Sequence, residues 1–185
     1  MSLRVVSSIT ELKGIIKEWK KAGQSIGLVP TMGYLHQGHQ SLIQKAASQN
    51  DRVIVSVFVN PKQFAPGEDL AKYPRDIKND QQKAQQAGAD LIFHPDDEEM
   101  YPADFDSFVQ VNGLTSLLEG KIRPTHFRGV VTVLTKLFNL TQADRAYFGQ
   151  KDAQQVAVVK KLVSDLDFPI RLVVCPIVRR SDGLA

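Results

Sequence analysis

Two histidines flank a glycine in the segment His36-Gln37-Gly38-His39, and these residue types at this spacing suit phosphate binding. The apolar run 26–29 before the segment predicts a buried strand, and residues 41–48 after it predict a helix. A helix N-terminus offers free backbone N–H groups and the positive end of the helix dipole, and both favour a phosphate. The glycine allows close approach of the backbone, while the imidazoles add donors, and a charge if protonated. A tight turn with two surface histidines is the alternative, but the flanking strand and helix favour the functional interpretation.

A second polar segment, residues 60–64, follows the apolar run 53–59. The amides of Asn60 and Gln63 both donate and accept hydrogen bonds, which suits the hydroxyls and carboxylate of a small hydroxy acid. Taken alone, the segment also fits an ordinary turn at a strand exit, with Pro61 as the breaker.

A third polar segment, Gly149-Gln150-Lys151-Asp152, follows the predicted strand 145–148. Asp152 is a candidate N-cap for the next helix, and Lys151 would bring a cation to the N-terminus of that helix, where phosphate oxygens are favoured. A capped helix start with an exposed lysine is the alternative. Gln155, near the start of the same helix, would face the same crevice.

Strand-like and helix-like runs alternate along the chain, which predicts an α/β fold, a Rossmann-like doubly wound parallel sheet covered by helices. Ligands of such sheets bind at the carboxyl ends of the strands, and the three polar segments all follow predicted strands. We therefore expect one active-site crevice. The predicted strands are residues 26–29, 53–59, 91–93, 108–111, 145–148 and 170–175, and the predicted helices begin after the cap Ser8 and cover 41–48, 76–87, 130–140 and 152–166.

The composition indicates one globular domain and argues against several other classes of protein. The chain has 185 residues, a net charge of +3 spread along its length, and one cysteine, Cys175, inside an apolar run. A buried, unpaired thiol is expected there, which points to a reducing cytoplasm. No basic stripe with interleaved aromatic residues suggests nucleic acid, and neither a signal core nor an apolar run of membrane-spanning length suggests a membrane.

The H-x-G-H pattern of residues 36–39 resembles the motif of the nucleotidyltransferase superfamily, whose members attack the α-phosphate of a nucleoside triphosphate and expel pyrophosphate. Longer blocks are similar to the pantothenate synthetase (pantoate–β-alanine ligase) family. These blocks run in the family's order from residue 29 to the last residue. They are Val29-Pro-Thr-Met-Gly33, His36-Gln-Gly-His39, Phe58-Val-Asn-Pro-Lys-Gln-Phe64, Tyr73-Pro-Arg75, Pro124-Thr-His-Phe-Arg-Gly129, Phe148-Gly-Gln-Lys-Asp-Ala-Gln-Gln155 and Arg180-Ser-Asp-Gly-Leu-Ala185.

This resemblance implies ATP-dependent condensation of pantoate with β-alanine through a pantoyl adenylate, with release of pyrophosphate and AMP. It assigns catalysis to His36, His39 and Lys151. It assigns binding of pantoate and β-alanine to Gln63 and Gln155. The residues that it implies for ATP binding are Met32, Gly33, Tyr34, Leu35, His36, Gln37, Gly38, His39, Gly149, Gln150, Lys151, Asp152 and Val178.

The resemblance also carries expectations about a metal and about assembly. Asp80 matches an acid that is proposed to lie near a metal in the family, and Mg²⁺ is expected to arrive mainly on the triphosphate. His126 and Arg128 are expected near the site. A cytoplasmic homodimer is expected as well.

Family members continue beyond the position of Gly183-Leu184-Ala185 with a Met-Ser-Ser-Arg-like segment and a smaller C-terminal domain. We therefore expect residues 1–185 to be the N-terminal domain that binds ATP and pantoate. Because the further segment would close over the phosphates, weak binding and little or no turnover are expected of these residues alone. Two alternatives stay open: another HxGH nucleotidyltransferase that acts on a cofactor precursor, and a non-catalytic nucleotide-binding or dimerisation fragment.

Overall fold

A parallel sheet forms the centre of the computed structural model, which describes residues 3–65, 67–68 and 70–185. Within that part of the chain the sheet has six strands in the order β1-β4-β3-β2-β5-β6, and every neighbouring pair is parallel. The strands are β1 (Arg4–Val6), β2 (Ile26–Thr31), β3 (Arg52–Val57), β4 (Leu91–Phe93), β5 (Arg145–Gly149) and β6 (Arg171–Cys175).

Helices cover both faces of this sheet. The helices are α1 (Ile9–Lys21), α2 (Gln37–Ala47), α3 (Ile77–Ala87), α4 (Asp97–Met100), α5 (Leu118–Ile122), α6 (His126–Thr141) and α7 (Ala153–Asp165). One apolar cluster joins the sheet to α1, α6 and α7, and a second cluster joins its other face to α2 and α3. Along β2, Leu28 belongs to the first cluster and Val29 to the second. Because both faces of this strand are buried, its sequence is a continuous apolar run rather than an alternating one.

The strand order reverses between β2 and β5. From β2 the chain moves to β3 and β4 on one side, and it later returns to place β5 and β6 on the other side. The loops that leave the carboxyl ends of β2 and β5 therefore diverge and open a crevice, which is the usual ligand position in doubly wound sheets. The predicted α/β class is confirmed.

Capping residues confirm the predicted start of α1 and the predicted end of α3. The Ser8 hydroxyl accepts hydrogen bonds from the backbone N–H groups of Thr10 (3.1 Å) and Glu11 (3.4 Å) at the start of α1. Gly88 ends α3 with a φ of 98°, a left-handed conformation that glycine adopts without strain. The buried thiol of Cys175 at the end of β6 also agrees with the sequence, and burial raises its pKa.

Three sequence-based expectations about elements were wrong or incomplete. The predicted strand 108–111 is irregular, because the backbone N–H of Val109 donates to the Thr132 hydroxyl on α6 (3.1 Å) rather than to another strand. The short edge strand β1 was not predicted. Both α2 and α6 begin one turn before the predicted residue. No helix in the described part of the chain is long and apolar enough to cross a membrane.

Candidate active site

The two histidines of the H-x-G-H segment form a reciprocal cap at the start of α2. His36 Nδ1 accepts a hydrogen bond from the backbone N–H of Gly38 (3.1 Å), and His39 Nδ1 accepts one from the backbone N–H of His36 (3.3 Å). A backbone N–H is only a donor, so both Nδ1 atoms are acceptors and each neutral ring carries its proton on Nε2. The ring centroids lie 4.1 Å apart. This cap explains why α2 begins at residue 37 rather than at residue 41.

Both imidazoles are neutral near pH 7. Burial, followed by the influence of His36 and then the cations of Lys151 and Lys83, lowers the pKa of His39 from 6.5 to about 4. Burial, and after it Lys151, also lowers the pKa of His36. The pair therefore offers two Nε2–H donors to a phosphate, whereas the positive charge at this end of the crevice comes from lysine.

The loop between β2 and α2 is held by side chains of other elements. Its Gly33 N–H donates to the Thr31 hydroxyl (3.1 Å), and its Tyr34 and Leu35 N–H groups donate to the two carboxylate oxygens of Asp80 (2.9 and 2.7 Å). Lys83 donates from Nζ to the carbonyl oxygen of Leu35 (2.6 Å). Four hydrogen bonds to the backbone of residues 33–35 therefore hold the loop that precedes His36.

Gly33 and Leu35 serve the loop in different ways. Gly33 has a φ of 86°, and a Cβ added there would lie 2.9 Å from Asp80 Oδ2, so glycine is needed for both conformation and space. The Leu35 side chain is 1% exposed and packs in the cluster with α2 and α3. Of the residues expected at ATP, Leu35 therefore turns its side chain into the core, whereas Tyr34 and Gln37 are exposed.

Asp80, expected near a metal, is 1% exposed and uses both oxygens to hold the loop. The described residues contain no group of three or more His, Cys, Asp or Glu side chains that could hold a metal ion. A magnesium ligand role for Asp80 stays a prediction, and the donor set around it does not form a metal cage.

A small cavity of about 180 Å³ lies beside the histidine pair at the carboxyl ends of β2 and β5. Gln63, Gln155 and His39 all line it, although Gln63 and Gln155 are far apart in the sequence. One side of the cavity is polar and the other is apolar. The polar lining includes Thr31, His39, Asn60, Gln63, Asp152 and Gln155, and the apolar lining includes Phe58, Val130, Val133, Leu134, Leu137 and Phe148.

A chain of hydrogen bonds sets the orientation of Gln63. Asn60 Oδ1 accepts from the Lys62 N–H (3.2 Å) and the Tyr101 hydroxyl (2.8 Å), and Asn60 Nδ2 donates to the Gly129 carbonyl (3.0 Å). The backbone partners determine which end of the Asn60 amide is oxygen. Asn60 Nδ2 also donates to Gln63 Oε1 (3.1 Å), so Gln63 directs its Nε2 towards Met32 Sδ (2.9 Å) and the cavity.

The backbone of Gln63 is held from the other side by α6 and the residues before it. His126 Nδ1 lies 3.2 Å from the Gln63 carbonyl oxygen, and burial lowers the pKa of His126. Arg123 donates to both carboxylate oxygens of Glu68 (2.7 and 3.0 Å), which lowers the pKa of Glu68 to about 2. Neither Arg123 nor Glu68 was predicted from the sequence, although Arg123 directly precedes a matched block. Arg128 lies over the Phe108 ring (5.0 Å to the centroid) and does not line the small cavity.

The segment after β5 brings its polar residues to the same crevice. Lys151 is exposed, with Nζ 3.4 Å from Asp152 Oδ1, and its charge reaches both imidazoles. Asp152 occupies the N-cap position of α7, as predicted, but it ends a short 3-10 turn (Gln150–Asp152) and its side chain makes no capping bond. Val178, after β6, is partly exposed and does not line the small cavity.

A second, larger cavity of about 710 Å³ adjoins the first one. The two cavities share Met32 and Phe58. The larger cavity extends over the carboxyl ends of β1, β3 and β4, where Arg75 and His94 are among its polar lining.

The six-stranded parallel sheet and its flanking helices make this a Rossmann-like α/β domain. Its H-x-G-H segment lies at the crevice where the strand order reverses. The chain belongs to the pantoate-beta-alanine ligase family, whose model matches residues 4–185.

Individual relatives agree with this family. The chain is 57% identical over 183 residues to the pantothenate synthetase of Clostridium acetobutylicum and 54% identical over 183 residues to that of Acetivibrio thermocellus. These matches cover 99% of the chain and 65% of each relative, so the chain spans less than two thirds of the length of these curated relatives.

Solved structures show the same likeness. The pantothenate synthetase of Thermus thermophilus matches with a TM-score of 0.94 and 52% identity, over 98% of this chain and 64% of that one. The pantoate-beta-alanine ligase of Francisella tularensis, solved with beta-gamma ATP and beta-alanine, matches with a TM-score of 0.93 and 41% identity, over 98% of this chain and 70% of that one.

Proposed function

We propose that this chain takes part in the ATP-dependent condensation of pantoate with β-alanine. In the first step a carboxylate oxygen of pantoate attacks the α-phosphorus of ATP, and the bond to pyrophosphate breaks. In the second step the β-alanine amine attacks the carbonyl carbon of the pantoyl adenylate, the bond to AMP breaks, and the amine loses a proton. Pantothenate, AMP and pyrophosphate are the products.

The observation that carries this proposal is the small cavity shared by Gln63, Gln155 and His39. Pantoate combines a carboxylate and two hydroxyls with two methyl groups on one carbon. The amides match the polar end of this molecule, and the aliphatic wall from α6, which includes Val130 and Leu134, matches its methyl groups. His39 lines the cavity and caps α2, so a carboxylate held by the amides would lie beside the phosphate-binding end of the helix.

Each polar residue then has a role in the first step. The Nε2–H groups of His36 and His39 would donate to oxygens of the reacting phosphates, where negative charge grows in the transition state. Lys151, whose charge acts on both imidazoles, would add a positive charge beside them. Gln63, with its Nε2 directed into the cavity, and Gln155 would hold the acid in line for attack.

We propose that Mg²⁺ enters with the triphosphate rather than in a protein cage. The described residues supply no cluster of metal ligands, and both oxygens of Asp80 already accept backbone hydrogen bonds. Bound to ATP, the ion would supply neutralisation of phosphate charge. The residues of this chain supply orientation and hydrogen-bond donors.

We further propose a homodimer in the cytoplasm, formed through an apolar surface around α5. Leu118 and Ile122 are 76% and 82% exposed, and Leu114 and Leu117 beside them are also exposed. Exposed aliphatic residues grouped in this way are typical of protein–protein contacts. The cytoplasmic setting is supported by the single unpaired, buried Cys175.

Exchange of labelled pyrophosphate into ATP tests the proposal, because that exchange reports adenylate formation without β-alanine. We expect exchange that depends on pantoate, and pantothenate and AMP once β-alanine is added. ATP binding without exchange would instead favour a nucleotide-binding role. Exchange with a different acid, and none with pantoate, would favour another nucleotidyltransferase.

A further inference from the structure

Asp80 and Lys83 lie about one turn apart on α3, and together they bind three backbone groups of the loop that precedes His36. We propose that these two side chains are positioning residues, which hold the histidine pair in its reactive geometry through the backbone of Tyr34 and Leu35. This inference rests on the proposed function and adds to it two residues that act at a distance from the substrates.

The bonds themselves are short, and the Asp80 carboxylate that accepts two of them is buried. Asp80 accepts from Tyr34 N–H at 2.9 Å and from Leu35 N–H at 2.7 Å, one bond to each oxygen, and its side chain is 1% exposed. Lys83 donates to the Leu35 carbonyl at 2.6 Å. A buried carboxylate with charge-assisted bonds on both oxygens is a stiff anchor. Both polar groups of the Leu35 backbone are therefore fixed by α3.

The loop needs such an anchor because its conformation is unfavourable. Tyr34 has a φ of 52°, in the left-handed region that side chains other than glycine rarely adopt, and its own side chain is largely exposed. Packing of the Tyr34 ring therefore does little to hold this backbone. A conformation of this kind persists where surrounding contacts impose it, and here the Asp80 carboxylate makes the contact.

The anchored residue is directly followed by the first histidine. His36 N–H donates to His39 Nδ1, and the reciprocal bond from Gly38 N–H to His36 Nδ1 completes the cap. A displacement of the Leu35 backbone would move the His36 N–H and open this cap, and the two Nε2–H donors would then shift from their present positions. Misplacement of a catalytic group by about 1 Å costs on the order of 100-fold in rate.

The test is Asp80→Asn, because an asparagine of the same shape has one acceptor oxygen for two N–H donors. We expect the kcat of pantoate-dependent exchange to fall on the order of 10- to 100-fold, with a much smaller change in the KM for ATP. We also expect the nitrogen NMR signals of both imidazoles to depart from the single Nε2–H form. Lys83→Met should show the same changes in weaker form, and Lys83→Arg should restore part of the activity.

Asp76→Ala is the matched control. Asp76 caps the same helix through the Asn79 N–H (3.1 Å), and within the described part of the chain its side chain makes no hydrogen bond to the loop, so its loss should lower the melting temperature without changing the imidazole signals. If Asp80→Asn does not fold, the Lys83 variants carry the same readouts.

Three results would overturn the proposal. The first is that neither the imidazole signals nor kcat changes in Asp80→Asn and Lys83→Met. The second is that Asp76→Ala reproduces both changes. The third is that a higher Mg²⁺ concentration restores Asp80→Asn, which would make Asp80 a metal ligand. Absence of exchange in the unchanged protein would count against the proposed function, while the NMR comparison would still test the positioning role.

Discussion

Asn60 donates a hydrogen bond from Nδ2 to Oε1 of Gln63 over 3.1 Å, and this contact determines which end of the Gln63 amide faces the small cavity. The direction of the bond follows from backbone groups, because the Lys62 N–H is only a donor and the Gly129 carbonyl is only an acceptor. Gln63 therefore directs its NH₂ group towards the cavity, so we expect a ligand bound there to offer acceptor oxygens.

Gln63→Glu should abolish that selection while preserving the size of the side chain. The new oxygen would face the pantoate carboxylate, so we expect pantoate affinity to fall by at least the roughly 1–3 kcal/mol of an unmade buried bond, and ATP affinity to change little. Calorimetric titration with each substrate measures both. Gln86→Glu, on the exposed surface of α3, is the charge-matched control. Equal losses for ATP and pantoate would contradict the assignment of Gln63 to the acid.

His39→Ala should slow adenylate formation by roughly 100- to 1,000-fold, the range for loss of one preorganised donor to developing charge. His36→Ala should also slow it, and it removes the Nδ1 acceptor of Gly38 N–H as well. Pantoate-dependent pyrophosphate exchange measures both variants. Near-normal exchange in both would show that the imidazoles do not stabilise the transition state.

The low pKa of His39 should make folding stability depend on pH. Above pH 6.5 the ring is neutral in both folded and unfolded chains. Between pH 6.5 and about 4 the unfolded chain takes up a proton and the folded chain does not, so the free energy of unfolding falls as the pH falls. Below about pH 4 the folded state is protonated too, and the loss stops growing.

Denaturant unfolding of the unchanged protein and of His39→Gln at several pH values measures this effect. The difference between the two proteins isolates the histidine from the carboxylates that titrate in the same range. We expect a weaker decline for the variant between pH 6.5 and about 4. Parallel curves would mean that His39 has an ordinary pKa.

Gly129→Ala should disturb the small cavity by displacing the turn that carries Gln63. A Cβ at Gly129 would lie 2.5 Å from Gln63 Cα and would also overlap the Lys62 carbonyl, so α6 and the turn that carries Gln63 must separate. We expect destabilisation of about 1–3 kcal/mol and weaker pantoate binding. Gly14→Ala, on the exposed face of α1 with no atom within 4 Å of the added Cβ, should instead stabilise by about 0.5–1 kcal/mol. Thermal melts and pantoate titration compare the two, and unchanged pantoate affinity in Gly129→Ala would refute the packing argument.

Leu118→Lys combined with Ile122→Lys should convert the proposed homodimer to a monomer. Both side chains are mostly exposed in the single chain, so the charges would be tolerated in the monomer and would be buried only in a dimer. Light scattering over a range of concentrations measures the molar mass. Leu166→Lys, at another exposed leucine, should leave the mass unchanged. A strictly monomeric unchanged protein at high concentration would contradict the dimer.

Local sequence patterns predicted the parallel sheet and the edge of the sheet at which the candidate site lies. The apolar runs of β2 and β3 predicted strands buried on both faces, and their alternation with helices predicted the parallel sheet. Since parallel strands end at one edge, the polar residues after them were expected to meet, and Gln63, Gln155 and His39 do line one cavity. The blocks around these residues were also sufficient to identify the family.

The same local reasoning failed where the hydrogen bonds in the structure differ from those that residue type predicts. Residues 108–111 have the composition of a strand, yet the Val109 N–H finds its acceptor on α6. Composition and spacing do not reveal that partner. Asp152 has the residue type of a cap and occupies the N-cap position of α7, yet its side chain makes no capping bond.

The sequence by itself determined the fold class, the family and the residue types that meet at the crevice, because periodicity and motif spacing are local properties of the chain. Only the tertiary structure decided the neutral, Nε2–H state of the histidines, the donor orientation of Gln63 and the hold of Asp80 on the loop. The histidines are kept neutral first of all by burial. The other two properties depend on hydrogen bonds such as Tyr34 to Asp80 and Asn60 to Gly129, whose partners are 46 and 69 residues apart. Such partners come together when the sheet and its helices pack, and the geometry of that packing then determines which nitrogen, oxygen or backbone group is left to face a substrate.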